Sequence, residues 1–286
     1  MKAPRSKARG QARGAPRQYA LGFIGGGNMA TALIKGLLAA GSYRPAQLCV
    51  SEIDTAKRAT LRRRFGITTI ADNAALVRLA KVVVVAVKPQ VIDAVLRDVQ
   101  AVVTPEKLFL SIAAGIPTNR LQAILGRGVR VLRAMPNTPA LLGRGMSVLV
   151  RGRYATAADE RIGLRVLRGV GQVVAVQEEK LLDAVTGLSG SGPAYVYRFA
   201  EGMMAGGVAA GLTARLAVQL TLQTISGAAA MLEETGQPPE ALRAMVSSPG
   251  GTTLAGLGEL ERRGFKDAVA AAVIAATRRA EELGRG

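Results

Sequence analysis

A glycine-rich turn joins the first apolar strand of this chain to its first helical run. Residues 21–24 read LGFI, residues 25–30 read GGGNMA, and the helical run covers residues 32–40. In the spacing G-x-G-x-x-A, one glycine permits a tight turn, a second lets the backbone approach a pyrophosphate, and the small third residue lets the helix pack closely on the strand. Because Glu52 also ends the next apolar strand, the pattern predicts a dinucleotide site rather than a purely structural turn.

Strands and helices alternate beyond this turn. The unbroken valine run 82–85 lacks polar alternation, which is typical of a strand buried on both faces of a parallel sheet. A helix is expected over residues 54–65, and another is capped by Asp72. The predicted fold is α/β, with a Rossmann-type doubly wound sheet over residues 19–177. Its other strands are expected at residues 47–51, near 67, and at 108–110, 129–132, 146–150 and 172–176.

The chain becomes helical from about Glu178. Stretches rich in Ala, Gly and Leu cover residues 193–210, 214–232, 240–246 and 265–283, without a convincing strand. Their many glycines let helices approach closely but leave few bulky side chains for a core. We therefore expect residues 178–286 to form an all-helical domain that completes its core in a homodimer or an assembly of dimers. A monomeric bundle is the alternative.

The net charge of +18 is unevenly distributed. Residues 1–18 carry six Lys or Arg side chains, no acid and almost no large apolar side chain, so we expect a disordered basic tail. An RNA-binding arm, a targeting segment and a wrongly assigned start are the alternatives. The other positive charges lie on expected helix faces without the interleaved aromatic residues of a single-strand stacking platform, so we expect no nucleic-acid partner.

Several features exclude whole classes of site. Histidine is absent, which excludes Ser-His-Asp triads and imidazole metal ligands. Cys49 is the only cysteine, which excludes a disulfide scaffold and a multi-cysteine zinc site and suits a reducing compartment. No apolar run approaches the roughly 18 residues that a membrane span requires. We therefore expect a cytoplasmic protein without a metal site or a membrane partner.

A second glycine-rich segment lies near the other end of the chain. Residues 247–253 read SSPGGTT and precede the apolar run 254–257, where a new helix is expected to begin. The first turn of a helix has unpaired N–H groups at the positive end of its dipole, so a small carboxylate can bind there. The alternative is an ordinary loop with a threonine as the helix N-cap.

Six motifs in a fixed order make the chain resemble the pyrroline-5-carboxylate reductases from about Tyr19 to Gly284. They are FIGGGNMA (23–30), AVKPQ (86–90), SIAAGI (111–116), MPNTPA (135–140), TGLSGSGPAY (186–195) and the segment 239–261 around SSPGGTT. The resemblance implies an oxidoreductase that uses NADPH or NADH to reduce the C=N bond of 1-pyrroline-5-carboxylate to L-proline, in the last step of proline biosynthesis.

The resemblance also implies a set of site residues. The substrate carboxylate is expected on the amides of Gly250, Gly251, Thr252 and Thr253, in a site completed by the partner subunit's cofactor domain. Thr186 matches a hydroxyl near the ring nitrogen and is the candidate proton donor, with a helix cap as the alternative. Residues that close strands lie at the carboxyl edge of the sheet, where ligands bind, and the alternative for Lys88 is a solvated charge at the end of a strand. The expected cofactor-binding residues are Ile24, Gly25, Gly26, Gly27, Asn28, Met29, Glu52, Asn73, Ala86, Val87, Lys88, Pro89, Ile112, Ala113 and Ala114.

The choice of cofactor remains open in the sequence. Glu52 favours NADH, because a carboxylate there accepts from the adenosine ribose 2′-OH and repels a 2′-phosphate. Lys57 and Arg58, one turn into the next helix, favour NADPH by the opposite charge. Met245 is a departure, because some relatives carry a polar residue there that reaches the cofactor.

Imine reduction explains how such an enzyme can lack histidine. The imine nitrogen is protonated near neutral pH, so the reaction needs positioning more than acid catalysis, and Thr186 or water need only solvate that nitrogen. A β-hydroxyacid dehydrogenase or another imine reductase would instead present a catalytic Lys or Asp in its central helix, whereas residues 193–210 offer Arg198 and Glu201. A nucleic-acid-binding or regulatory protein on the same scaffold is the alternative from another class.

Overall fold

The computed structural model describes residues 18–285, and an eight-stranded sheet forms its centre. The strand order is β3-β2-β1-β4-β5-β6-β7-β8. Strands β1 to β6 are parallel, β7 is antiparallel to β6, and β8 is parallel to β7. The strands are β1 (Tyr19–Ile24), β2 (Leu48–Ser51), β3 (Thr68–Ile70), β4 (Ala80–Val85), β5 (Leu108–Ser111), β6 (Arg130–Pro136), β7 (Gly145–Arg151) and β8 (Gly171–Val176).

Helices follow most strands and then form the whole of the C-terminal part. The predicted fold class, a doubly wound sheet followed by helices, is confirmed. The helices are α1 (Asn28–Ala39), α2 (Thr55–Phe65), α3 (Asn73–Leu79), α4 (Ile92–Val99), α5 (Thr118–Leu125), α6 (Ala157–Leu167), α7 (Leu181–Val185), α8 (Gly192–Ala209), α9 (Ala214–Thr235), α10 (Pro239–Met245), α11 (Thr252–Arg262) and α12 (Phe265–Arg285).

The sheet is buried on both faces, as the valine run indicated. Val82 and Val84 belong to the apolar core beneath α1 and α6, whereas Val83 and Val85 belong to the core beneath α3, α4 and α5. The predicted N-cap of α3 is also present. The Asp72 carboxylate accepts the N–H of Ala75 at 3.0 Å and thereby caps this helix.

A strand was predicted at residues 146–150, where β7 lies, but its antiparallel direction was not predicted. A parallel partner for β6 would require a crossover of a dozen or more residues, usually a helix. Only residues 137–144 connect β6 to β7, and a short 3-10 helix, Thr138–Leu142, occupies much of that connection. The chain therefore turns back on itself, and only after α6 does β8 pair parallel to β7.

The helical part carries most of its large apolar side chains on the outside. Within residues 18–285, all but five of the exposed large hydrophobic side chains follow residue 178. The exceptions are Ile53, Val91, Leu141, Leu142 and Val174. Helix α8 packs against α9, and α12 packs against α7 and α11, yet few of their side chains are buried. This domain does not complete an apolar core within one chain, as its glycine-rich sequence indicated.

Two further expectations concern the basic tail and the absence of a membrane span. Apart from Gln18, the basic tail expected at residues 1–18 falls outside the described residues. Among residues 18–285, none of the helices has the length and hydropathy that a bilayer crossing requires.

Candidate active site

The glycine-rich turn has the geometry that its sequence requires. Gly25 adopts φ +96°, and a Cβ atom there would lie 2.8 Å from the carbonyl oxygen of Ala86. Its N–H donates to the carbonyl of Ser51 at 2.8 Å, which ties the turn to β2. A Cβ on Gly27 would meet nothing within 4 Å, so this side of the turn is open, and Ala30 is fully buried against the sheet. The three motif positions thus match their expected roles.

Helix α1 begins directly after this turn. Gly27 is its N-cap, and no side chain accepts a hydrogen bond from the first turn. The N–H groups at the start of α1 therefore remain available to an anion, at the positive end of the helix dipole. An open, uncapped, glycine-lined helix start is a fitting place for a dinucleotide pyrophosphate.

Glu52 braces the middle of the turn. Its Oε2 atom accepts the N–H of Gly26 at 3.0 Å, and its Oε1 atom accepts the N–H of Asp54 at 3.0 Å. A Cβ atom on Gly26 would lie 2.7 Å from the Leu61 side chain and 3.3 Å from Glu52 Oε2. The G-x-G-x-x-A pattern leaves this position unrestricted, so the need for a third glycine was missed in the sequence.

The carboxyl ends of β1, β4 and β5 form one edge beside this turn. The N–H of Ala86 donates to Ile24 at 2.9 Å, and the N–H of Ile112 donates to Val85 at 3.2 Å. The expected cofactor segments 24–29, 86–89 and 112–114 are therefore brought together. Lys88 is exposed at this edge and precedes a 3-10 turn that begins with Pro89.

Asn137, which directly follows β6, connects this edge of the sheet to the helical domain. Its Nδ2 atom donates to the carbonyl of Ser189 at 3.2 Å and to the Ser189 hydroxyl at 3.4 Å. Its Oδ1 atom accepts the N–H of Met146 at 2.9 Å. Asn137 thus ties the end of β6 to the TGLSGSGPAY segment, a contact that no sequence signal had indicated.

Thr186 begins a π-helical turn, Thr186–Gly190, between α7 and α8. The Thr186 hydroxyl donates to the carbonyl of Leu182 at 2.7 Å. Thr186 continues directly from α7 and therefore does not cap a helix start. Single π-turns within helices are frequent at functional sites. The Tyr195 hydroxyl supports this turn, because it donates to the carbonyl of Gly187 at 3.2 Å.

The SSPGGTT segment forms the start of α11. Gly250 has φ +70°, and Gly251 is the N-cap of α11 without a side-chain cap. The alternative of a threonine N-cap is therefore wrong, because Thr252 is already the first helical residue. The N–H of Gly251 donates to the carbonyl of Ser248 at 2.9 Å, so this one of the four expected amides is occupied within the loop. Helix α11 packs against α12.

The lone cysteine has no place in this site. Cys49 is buried in β2, and burial raises the pKa of its thiol to about 11. Since the thiolate is the reactive form, Cys49 is a core residue.

Two family models match this chain, one in its N-terminal part and one in its C-terminal part. Residues 179–283 match the family model described as pyrroline-5-carboxylate reductase dimerisation, and residues 20–115 match the model described as NADP oxidoreductase coenzyme F420-dependent. The pyrroline-5-carboxylate reductase of Arabidopsis thaliana is 40% identical over 93% of this chain and 95% of its own. That of Methanosarcina acetivorans is 41% identical, over 93% and 98%. The chain belongs to the pyrroline-5-carboxylate reductase family.

Solved structures of the family agree with this assignment. A pyrroline-5-carboxylate reductase from Coxiella burnetii superposes with a TM-score of 0.88 at 36% identity, over 93% of this chain and 99% of that chain. Pyrroline carboxylate reductase from Plasmodium falciparum, solved with NADP bound, has a TM-score of 0.83 at 31% identity, over 94% of this chain and 100% of that chain. The family resemblance and the enzyme class, an oxidoreductase acting on a C=N bond, are confirmed.

Family membership also accounts for the exposed apolar surface. The matched dimerisation model covers α7 to α12, where most of the exposed large apolar side chains lie. The helical domain is thus a domain of self-association, and its incomplete core is the physical reason for it.

Proposed function

We propose that this pyrroline-5-carboxylate reductase family member reduces the C=N bond of 1-pyrroline-5-carboxylate and releases L-proline, using NADPH or NADH. One observation carries the proposal. Segments 24–29, 86–89 and 112–114 meet at one sheet edge, and Asn137 ties the end of the neighbouring strand β6 to the turn that contains Thr186. A dinucleotide site and a candidate substrate site thereby share one edge of the sheet.

The cofactor residues divide by location. The amides of residues 27–29 would hold the pyrophosphate at the start of α1, and Glu52 would face the adenosine ribose. The rest of the dinucleotide site would be lined by segments 86–89 and 112–114, together with Asn73 at the start of α3. When bound, the reduced nicotinamide supplies the hydride that the imine carbon accepts.

Thr186 has a defined role in this proposal. Its proton is directed to the carbonyl of Leu182, so the lone pairs of its oxygen remain available to accept a hydrogen bond. The nitrogen of a protonated imine carries an N–H, and Thr186 would accept that hydrogen bond and thereby hold the ring. Thr186 then orients and solvates the ring nitrogen, and the absence of histidine is no obstacle.

The substrate carboxylate would bind at the start of α11. Because the N–H of Gly251 donates within the loop, the amides of Gly250, Thr252 and Thr253 are the ones that remain for the carboxylate. No side chain caps this helix. In the proposed homodimer, or in a larger assembly of dimers, the cofactor domain of the partner subunit completes this site. The same proposal includes a cytoplasmic location, in keeping with one buried cysteine, and no nucleic-acid or membrane partner.

Steady-state turnover tests this function. The purified full chain, mixed with 1-pyrroline-5-carboxylate, is expected to oxidise NADH or NADPH with formation of an equal amount of proline, measured by mass spectrometry. Removal of residues 1–17 is expected to leave this turnover unchanged. If neither cofactor were oxidised in the presence of the imine, or if the oxidation produced no proline, the proposal would fail.

A further inference from the structure

Glu52 is held in one orientation beside the glycine-rich turn. Its N–H donates to the carbonyl of Ile70 on β3 at 3.0 Å, which fixes the backbone. Its carboxylate accepts the N–H groups of Gly26 and Asp54, each at 3.0 Å. Each carboxylate oxygen has a second lone-pair site, so a further hydroxyl can still donate to it.

A second carboxylate lies in the same loop. Asp54 accepts the N–H groups of Ala56 at 2.8 Å and Lys57 at 3.1 Å. These backbone hydrogen bonds, that of Lys57 first, hold the pKa of Asp54 below its ordinary value. The loop between β2 and α2 therefore presents two carboxylates where the adenosine ribose of a Rossmann cofactor is expected.

Of the two basic alternatives, Lys57 is exposed to solvent, and Arg58 is turned towards the loop backbone. Its Nη1 atom donates to the carbonyls of Glu52 at 2.6 Å and Ile53 at 2.9 Å, and its Nη2 atom donates to the Thr55 hydroxyl at 2.9 Å. Three hydrogen bonds thus hold this guanidinium on its own loop. A guanidinium has five N–H donors, so only two remain for a 2′-phosphate, which would have to approach beside the carboxylate of Glu52.

We propose that Glu52 makes this reductase prefer NADH to NADPH. Its fixed carboxylate accepts from a ribose 2′-hydroxyl and repels a 2′-phosphate, which carries roughly two negative charges. The inference rests on the proposed function only for the position of the dinucleotide. The Plasmodium falciparum relative, which is 31% identical, was solved with NADP bound, so the inference concerns the loop of this chain and does not extend to the family as a whole.

Binding of cofactor fragments tests the preference without any turnover. Isothermal titration of the full chain with ADP-ribose and with 2′-phospho-ADP-ribose is expected to show at least about tenfold tighter binding of the unphosphorylated fragment. Glu52→Gln keeps the size of the side chain and removes its charge, so the ratio of the two affinities is expected to fall towards one. Glu52→Ser is a second variant with the same expected direction. Equal or tighter binding of the phosphorylated fragment by the unmodified chain would overturn the proposal.

Arg58→Ala is the matched control. Since the guanidinium is held by its own loop, this variant is expected to leave the ratio of the two affinities within about threefold of the unmodified chain. A selective loss of 2′-phospho-ADP-ribose binding in Arg58→Ala would show that Arg58 binds the phosphate, against the proposal.

Kinetics separate this inference from the proposed function. The ratio of kcat/KM for NADH to that for NADPH is expected to exceed about tenfold in the unmodified chain and to fall in Glu52→Gln. A chain that selected ADP-ribose but did not reduce the imine would contradict the proposed function alone. A chain that reduced the imine faster with NADPH would contradict this inference alone.

Discussion

Glu179, at the start of the helical domain, forms a salt bridge with Arg133 in the middle of β6, with 2.9 Å between Oε1 and Nη1. The same carboxylate accepts the N–H of Thr118 at 2.8 Å and the Thr118 hydroxyl at 2.6 Å. Thr118 is the first residue of α5, which is separated by three residues from the cofactor segment 112–114 that follows β5. Glu179 thus fixes the helical domain against the start of α5, next to the loop that is proposed to line the cofactor site.

Glu179→Ala is expected to destabilise the fold. The Arg133 side chain is only 6% exposed, so the variant leaves a buried charge without its partner. Breaking a buried pair costs about 3–5 kcal/mol, and because Glu179 is itself partly exposed we expect about 3 kcal/mol. The free energy of unfolding in urea measures this. Glu178→Ala is the neighbouring control, because its pair with Lys180 is exposed and is expected to contribute less than about 1 kcal/mol. Equal effects of the two substitutions would contradict the prediction.

Asn137→Ala is expected to lower kcat by about tenfold or more, because small displacements of groups that orient a substrate have large effects on rate. The variant removes three hydrogen bonds that join β6 to β7 and to the Thr186–Gly190 turn. Steady-state kinetics at saturating imine and cofactor measure kcat. Ser189→Ala is the control, since it removes only the 3.4 Å contact and keeps the one to the carbonyl of Ser189. A loss of rate in Ser189→Ala as large as that in Asn137→Ala would assign the effect to the serine hydroxyl.

These contacts mark the limit of what the sequence could predict. The strands, the glycine turn and the buried valine run are encoded locally, in the periodicity and turn chemistry of neighbouring residues. Asn137 and Ser189 are 52 residues apart, and Thr118 and Glu179 are 61 residues apart. Such pairs produce no local pattern. Only the folded chain reveals that the MPNTPA motif holds the TGLSGSGPAY motif in place.

The same reasoning applies to the glycine turn and to β7. The motif predicted Gly25 and Gly27, but the restriction on Gly26 comes from Glu52 and Leu61, which are distant in sequence. The direction of β7 follows from the short connection 137–144, yet residues 147–150 of β7 are all buried, so this strand does not show the alternation that is typical of an antiparallel strand with one solvated face. Composition did predict the incomplete core of the helical domain, because it depends on which residue types are present.

Thr186→Val is expected to lower kcat/KM for the imine by about ten- to a hundredfold, the worth of one hydrogen bond to a charged group. Valine keeps the shape of threonine and removes the oxygen that is proposed to accept from the protonated imine. Thr186→Ser, which restores that oxygen, is expected to recover most of the rate. Steady-state kinetics at constant cofactor saturation measure both variants. If Thr186→Val retained the full rate, water alone would be solvating the nitrogen.

Leu222→Glu on α9 is expected to weaken self-association. Leu222 is 56% exposed in the single chain, within the segment that matches the dimerisation model, and a buried unpaired charge at an interface is strongly unfavourable. Analytical ultracentrifugation is expected to show a smaller species than for the unmodified chain. Leu142→Glu is the control, because Leu142 is 82% exposed but lies outside that segment. If both variants kept the same mass as the unmodified chain, α9 would not lie in the interface.

Cys49 makes the stability of the fold sensitive to alkaline pH. Burial raises the pKa of its thiol from its ordinary value of 9.0 to about 11, so the unfolded chain loses this proton at a lower pH than the folded chain does. The unfolded state then binds fewer protons, and the free energy of unfolding falls as pH rises between these two values. Cys49→Ala removes this contribution. Its destabilisation relative to the unmodified chain is therefore expected to shrink from pH 8 to pH 11, as measured by urea denaturation at several pH values. A difference that stayed constant over this range would show that the Cys49 thiol titrates normally in the folded protein.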